Sequence, residues 1–215
     1  MRTQKAEVRN SVCDSLLAQA DEPLRERGFE RRRGSLVYTR RLEGGNQKVH
    51  VAIEQYPSDE PDAAAAIYPW YILCLPDVND VARAMVDDQT ELGGDFAITF
   101  AGPIEWTAPT GVGARWYLYQ PESVPGVIAT VRDFVLAWTV PFLDRYRTPE
   151  DVANAAVEGE ACAAHTHQDI LRVIAAKTMC GHRSAAGAML DRWFGKPGPR
   201  KRYSKAFEYL RAHPA

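Results

Sequence analysis

The sequence predicts an α+β fold: an antiparallel sheet of about five strands, packed by N-terminal and central helices and followed by a C-terminal helical appendage. Three observations lead there. Residues 35–42 and 47–56 are extended runs flanking Glu43-Gly44-Gly45-Asn46, and β-branched and aromatic residues alternating with polar ones across such a turn make an antiparallel hairpin. Further extended runs follow at short spacing, which favours antiparallel pairing. Helical spacing governs the N-terminus and returns from Ser123 onward.

Taken in order, residues 3–27 read as a helix, with Val8, Val12, Leu16 and Ala20 along one stripe and Cys13, Leu17 and Leu24 beside it. Pro23 predicts a kink or a new turn, and Gly28 a stop. In the hairpin's second run, Val49, Val51 and Ile53 share one face, while Lys48, His50 and Glu54 share the other, so the strand has one wet side. Residues 57–66 suit a loop. Residues 67–75 are the most apolar run and predict a central strand, with Pro69 at its start or at a bulge. A short acidic helix over 77–88, capped by Asp77, comes next, then strands at 95–100 and 114–119 around a Gly/Pro-rich loop.

From Ser123, Val124, Val127, Ile128, Val131, Phe134, Val135 and Trp138 form a continuous helical stripe that must bury one face. Thr148-Pro149-Glu150-Asp151 is a helix start with cap, proline and returning acid, opening a helix to about residue 158. Three apolar faces follow: Ile170, Leu171, Ile174 and Ala175; then Ala188, Met189, Trp193 and Phe194; then Tyr203, Phe207 and Leu210. Gly181 and residues 195–199 separate them. The expected organisation is an α+β domain over 1–160 and a helical extension over 161–215 that docks on it.

The 215 residues carry a net charge of -2, with 46% hydrophobic and 25% charged residues, the proportions of an ordinary globular protein. The charge is segregated. Residues 57–110 hold ten acids against Arg83 alone, whereas residues 168–215 hold ten bases against three acids. No window approaches the roughly 18 uninterrupted apolar residues of a membrane helix, and the N-terminus lacks a signal peptide's apolar core. No membrane partner and a cytoplasmic location are the expectation. Cys13, Cys74, Cys162 and Cys180 have no paired spacing, so they read as reduced thiols.

Several stretches together resemble a family. The helix leading into residues 24–32, the strand Leu36-Val37-Tyr38-Thr39-Arg40, the following Ile53-Glu54-Gln55, the hydrophobic strand near Tyr71 and residues 142–150 are similar to the uncharacterised family catalogued as domain of unknown function 4304. The resemblance covers residues 16 to 158. It implies an α+β fold and supplies no reaction or catalytic residues. It also carries an association with bacterial toxin-antitoxin and immunity systems.

For chemistry, the best metal candidate is Cys162, His165 and His167 with Cys180 and His182, because thiolates and imidazoles could converge on zinc if the intervening helix turned back. A helix over 168–180 instead spans about 20 Å and holds the clusters apart. Ordinary thiols and surface histidines are the simpler reading. Cys180/His182 and Cys162/His165 are also the available nucleophile and base pairs, but neither sits in a recognisable elbow. Phosphate-loop, His-Glu-x-x-His and Gly-x-Ser-x-Gly motifs are missing, and Gly111-Val112-Gly113 lacks the third glycine of a dinucleotide loop. No residue is assigned to catalysis, and no cofactor is implied.

The expected function is therefore a non-catalytic protein-binding module, immunity-like in its most concrete version. Its acidic face, Asp77, Asp80, Asp87 and Asp88, would meet a basic toxin or other basic partner, and electrostatic steering would speed the encounter. The competing reading is that these acids make a soluble surface or satisfy the basic tail within the molecule. The alternative function is a nucleic-acid-associated regulator that uses Arg200, Lys201 and Arg202, with Trp193, Phe194 and Tyr203 for stacking; Arg31-Arg32-Arg33 is a second basic run. Net negative charge counts against a large phosphate-binding face. An enzyme of unknown type stands third.

Overall fold

Local chemistry places the first helical break where the sequence predicts a new turn. In a computed structural model, which describes residues 2–88, 92, 97–109, 112, 115–157 and 164–212, α1 (Arg2–Gln19) stops before α2 (Asp21–Arg25), and Pro23 lies in the short second helix. Gly28 then adopts φ +83°, the left-handed region that a helix stop requires. A Cβ there would also approach the Arg40 side chain to 3.3 Å. Val12, Leu16, Ala20 and Leu24 are buried as their spacing demands, but Leu17 is 58% exposed rather than beside the stripe.

The chain divides into two compact units, Met1–Ile72 with Ala101–Asp144, and Leu73–Phe100 with Arg145–Ala215. The expected division has a single boundary at 160/161, whereas the compact units exchange chain at three points.

The first unit is built on a six-stranded antiparallel sheet: β1 (Glu30–Arg31), β2 (Val37–Leu42), β3 (Gly45–Gln55), β4 (Ala65–Cys74), β5 (Phe100–Pro103) and β6 (Trp116–Leu118). The strands lie in the order β1-β2-β3-β4-β5, with β6 also on β4. The last residues of β4 and the first of β5 belong to the second unit. The hairpin is tighter than its sequence suggests. Leu42 pairs with Gly45 and Arg41 with Asn46, so only Glu43-Gly44 turn. β1, two residues long, had no sequence signal.

Pro69 lies inside β4 rather than at its start, two residues past the last pair with β6, Ile67↔Trp116. The edge changes partner there, and a residue without an N–H is tolerated at such an irregularity. The strand expected over 95–100 is displaced: residues 93–96 lie outside the described residues, Ala97–Thr99 turn, and β5 begins at Phe100. Gly102 in β5 is a packing requirement, because a Cβ would overlap the Trp106 ring. The expected start of the next strand, Ala114, is also outside the described residues.

Short connections bring helices onto one face of the sheet. α4 (Val124–Phe134) continues through a π-helical segment, Val135–Thr139, into α5 (Val140–Asp144). Val124, Ile128, Val131, Phe134 and Val135 are buried, and Gln19 donates to the Pro125 carbonyl at 3.0 Å, tying α1 to α4. The π segment adds a residue to the turn and shifts the stripe. Thr139 is fully buried against Thr107 (3.2 Å), and Trp138, expected inside, is 38% exposed. Residues 121–144 are long and apolar enough to cross a membrane by length and composition. Their inward face instead packs on α1, as a core helix does.

In the second unit, α3 (Pro76–Ala84) is capped by the backbone of Leu75 with Pro76 at the first position, so Asp77 is a first-turn acid and not the cap. α6 (Pro149–Ala153) begins with the expected capping box of Thr148 and Asp151 and ends earlier than expected. α7 (His167–Met179) has a second box, Thr166 with Asp169, and every residue from Asp169 to Ala176 is buried. It is a central helix buried on all sides, Asp169 and Arg172 included, rather than on one face. α3, α6 and α8 (Arg183–Phe194) pack around it. On α8 the buried residues are Ala186, Leu190 and Phe194, leaving Ala188 exposed. α9 (Pro197–Arg202) and α10 (Ser204–Ala212) complete the unit, with Tyr203 4.4 Å from the Phe194 ring.

Candidate functional site

Strand alternation gives the sheet two unlike faces. On one, Tyr38, Arg40, Gln47, Val49, Val51, Ile67 and Tyr71 are buried. Gln47 donates to the Leu143 carbonyl at 2.7 Å, Arg40 pairs with Asp144 at 2.8 Å, and Tyr71 meets Phe142, so this is the helix-covered side. The opposite face carries half-buried or exposed side chains: Val37, Thr39 and Arg41 on β2, Lys48, His50 and Glu54 on β3, Tyr68 and Trp70 on β4, and Tyr117 on β6.

Register sets what stands beside what on this open face. Thr39 is opposite Lys48, Val37 opposite His50, Arg41 opposite Asn46, and Glu30 opposite Thr39. A groove of about 660 Å³ runs over β1 and β2, lined among others by Arg32, Ser35, Thr39 and Arg41. Burial lowers the pKa of His50, which keeps its imidazole neutral.

At the other end the face is aromatic. Tyr68 and Trp70 meet edge to face at 5.7 Å, and the Arg115 guanidinium lies 5.7 Å from the Tyr68 centroid. Asp59 holds Arg115 in an ion pair and accepts the Tyr117 hydroxyl at 3.0 Å. Glu54, Ala66, Tyr68 and Tyr117 line a hollow of about 370 Å³ there. The sequence reading missed this grouping because residues 67–75 look uniformly apolar; the signal was the alternation of Tyr68 and Trp70 with Ile67, Pro69 and Tyr71.

Near this end, Glu105 Oε2 is buried without a hydrogen-bond partner, and burial raises the carboxyl's pKa. A carboxyl whose folded pKa lies above its unfolded value favours the fold fully when protonated, below the unfolded pKa near 4.5, and loses that contribution as pH rises through the folded pKa. Glu105→Gln therefore raises the melting temperature at neutral pH, and the gain shrinks toward zero near pH 4. Thermal melts of both proteins across this range check it; a gain independent of pH would assign the effect to something other than charge.

The sequence-predicted residues of the second unit are scattered. Cys162 lies outside the described residues. His165 and His167 sit at the start of α7, where His165 N–H donates to Asp169 at 3.1 Å and the His167 ring meets Phe194 at 5.5 Å. Cys180 and His182 lie past the other end of this 13-residue helix, about 20 Å away along its axis. Among the described residues, no three or more His, Cys, Asp or Glu side chains form a group that could hold a metal ion.

Cys180 and His182 do share a partner. Glu150 accepts from His182 (2.8 Å), from Asn154 (2.9 Å) and from the Cys180 thiol, and these bonds lower its pKa. Burial and this carboxylate push Cys180 up to about 11. The imidazole is thus turned to the acid, and the thiol stays protonated at neutral pH, the opposite of an activated nucleophile.

Asp77, Asp80, Asp87 and Asp88 are all exposed. Asp80 pairs with Arg83 on the same helix, and Lys205 of α10 reaches Asp87 at 3.8 Å while donating to the Val86 carbonyl at 2.9 Å. Part of the acidic segment is therefore neutralised within its own unit. In the basic tail, Arg200 pairs with Asp191 at 3.3 Å and lies over Phe207 at 4.3 Å, whereas Lys201 and Arg202 are exposed on α9. No protein-family model, curated protein or solved structure matches the chain.

Proposed function

We propose that the protein is a non-catalytic binding module that works through the open face of its sheet. The observation that carries this reading is the division of the sheet into a helix-covered, largely buried face and an opposite face on which Arg41 is exposed and Lys48, Tyr68 and Trp70 are half-buried. The Cys180 thiol is held protonated, so the best-placed nucleophile does not argue for an enzyme. The resemblance to domain of unknown function 4304 belongs to the same proposal: Phe29, Arg40, Leu143 and Asp144, which help to carry it, meet in a buried network that holds the fold.

The immunity-like version, with Asp77, Asp80, Asp87 and Asp88 facing a basic partner, has less support, since Arg83 and Lys205 already stand against two of these acids. One experiment separates the two. The full chain, an Arg41→Glu/Lys48→Glu variant and an Asp77→Lys/Asp88→Lys variant are immobilised and exposed to lysate. The expected result is a macromolecule retained by the full chain and the second variant but lost from the first. Loss from the second variant alone would move the function to α3, and equal retention by all three would sink the reading.

A further inference from the structure

Resting on that reading, we infer that the ligand of the open sheet face is a single-stranded nucleic acid, its phosphates over the basic β1–β3 end and its bases on the aromatic β4–β6 end.

Charge comes first. Arg32, Arg41 and Lys48 lie at the β1–β3 end of the face with Glu30 among them, and Glu54 stands further along β3 beside the Tyr68 hollow. None of these three cations has an ion pair within the described residues, unlike Arg31, whose guanidinium is turned to the other side and held by Asp21. Ser35 and Thr39, lining the same groove, add hydroxyl donors of the kind that contact phosphate oxygens. The protein's net charge of -2 does not describe this end, because residues 28–50 hold six bases (Arg31, Arg32, Arg33, Arg40, Arg41 and Lys48) against two acids (Glu30 and Glu43).

Aromatic rings come second. Strands are about 4.8 Å apart, so β4, which carries Tyr68 and Trp70, lies two strand spacings, about 10 Å across the sheet, from β2, which carries Thr39 and Arg41. That separation suits a chain that lays its backbone along one side and turns its bases to the other. Tyr68 already has a guanidinium over its ring, from Arg115, which marks an approachable ring face; arginine planes and aromatic rings are the two surfaces on which unpaired bases stack. Arg115 is more than half exposed, and its side chain can rotate away or sandwich a base. A duplex buries its base faces in its own stack, leaving Tyr68 and Trp70 nothing to contact, so the arrangement selects single strands.

The test uses the full chain with fluorescein-labelled oligo-uridine and oligo-thymidine of about 12 nucleotides, and a duplex of the same length. Binding is followed by anisotropy from about 50 mM salt upward. Both single strands are expected to bind at least about tenfold more tightly than the duplex, with a log–log salt slope near -2 for three phosphate contacts. Trp70→Ala is expected to weaken binding at least about fivefold by loss of stacking, whereas Trp70→Phe, which keeps a ring, retains most of it. Arg41→Ala and Lys48→Ala each flatten the slope by about 0.7.

No binding of either strand at low salt overturns the inference, as does equal binding of duplex. So does indifference to Trp70→Ala in a variant whose near-ultraviolet circular dichroism is that of a folded protein. If the oligonucleotides fail while the Arg41→Glu/Lys48→Glu variant still loses a retained protein, the ligand class is wrong and the open face remains the binding surface.

Discussion

Replacing Asp21 with alanine destabilises the sheet-bearing unit by about 3–5 kcal/mol, the cost of removing one partner from a buried ion pair. Asp21 accepts Arg31 Nε and Nη2 at 2.8 and 2.9 Å and the Tyr38 hydroxyl at 2.6 Å. The Arg31 side chain is only 2% exposed, and Tyr38 only 1%. Burial works against the charge of Arg31, and the bonds to Asp21 outweigh it, so the pKa of Arg31 rises; burial and the same carboxylate raise that of Tyr38. Without Asp21 the guanidinium keeps the Ser35 and Cys13 carbonyls, at 2.8 and 3.4 Å, but its charge has no counterion there and the Tyr38 phenol loses its acceptor, both away from water. Urea unfolding followed by tryptophan fluorescence measures the loss, since Trp70, Trp106, Trp116 and Trp138 all belong to this unit. Adding Arg31→Met removes the stranded charge and recovers much of the stability. A double variant as unstable as Asp21→Ala alone would show that the charge is not the cause.

Arg40→Ala carries the second large effect, about 3 kcal/mol. This guanidinium donates to Gln47 Oε1 at 2.8 Å and to the Arg27 carbonyl at 3.2 Å, pairs with Asp144 at 2.8 Å, and lies 4.5 Å from the centre of the Phe29 ring. Gln47 is completely buried and passes the connection to the Leu143 carbonyl. One side chain thus joins the α2–β1 turn, the hairpin and the end of α5. Arg40→Lys restores less than half of the loss, because an ammonium cannot meet three acceptors in the plane of a fork. Full rescue by lysine in the same urea experiment would refute the geometric account and leave charge alone as the explanation.

These two networks show where sequence reading stops. The hairpin at Glu43-Gly44, the break near Pro23, the stop at Gly28 and the capping box at Thr148 were all legible, because each is decided by residues within a few positions of one another. The second box, Thr166 with Asp169, has the same spacing, yet His165 and His167 drew attention to a metal instead. Neither Arg40 nor Asp21 could be told from a surface charge in the sequence, since the ion-pair partner of Arg40 lies 104 positions away and the partners of Asp21 lie 10 and 17 away.

The candidate site was less legible than the fold. Lys48, His50 and Glu54 were recognisable as the wet side of a strand, but Tyr68 and Trp70 were hidden in an apolar run read as a central strand. Aromatic side chains report hydrophobic area whether they point inward or outward, so composition cannot say which face they occupy. Trp138 shows the reverse error: its helical spacing fits the buried stripe, and the π segment at Val135–Thr139 turns it out.

By itself the sequence determined the α+β class, the hairpin, the capped helix start at Thr148 and the segregation of charge, because propensity, alternation and capping act over one turn or one strand pair. Only the tertiary structure decided which side of the sheet the helices cover, that α7 is buried all round, and that the tail helices pack with α3 and α6. Each of these depends on surfaces brought together from distant parts of the chain, and the free energy that selects among such pairings is apolar burial, which is non-directional and leaves no local mark.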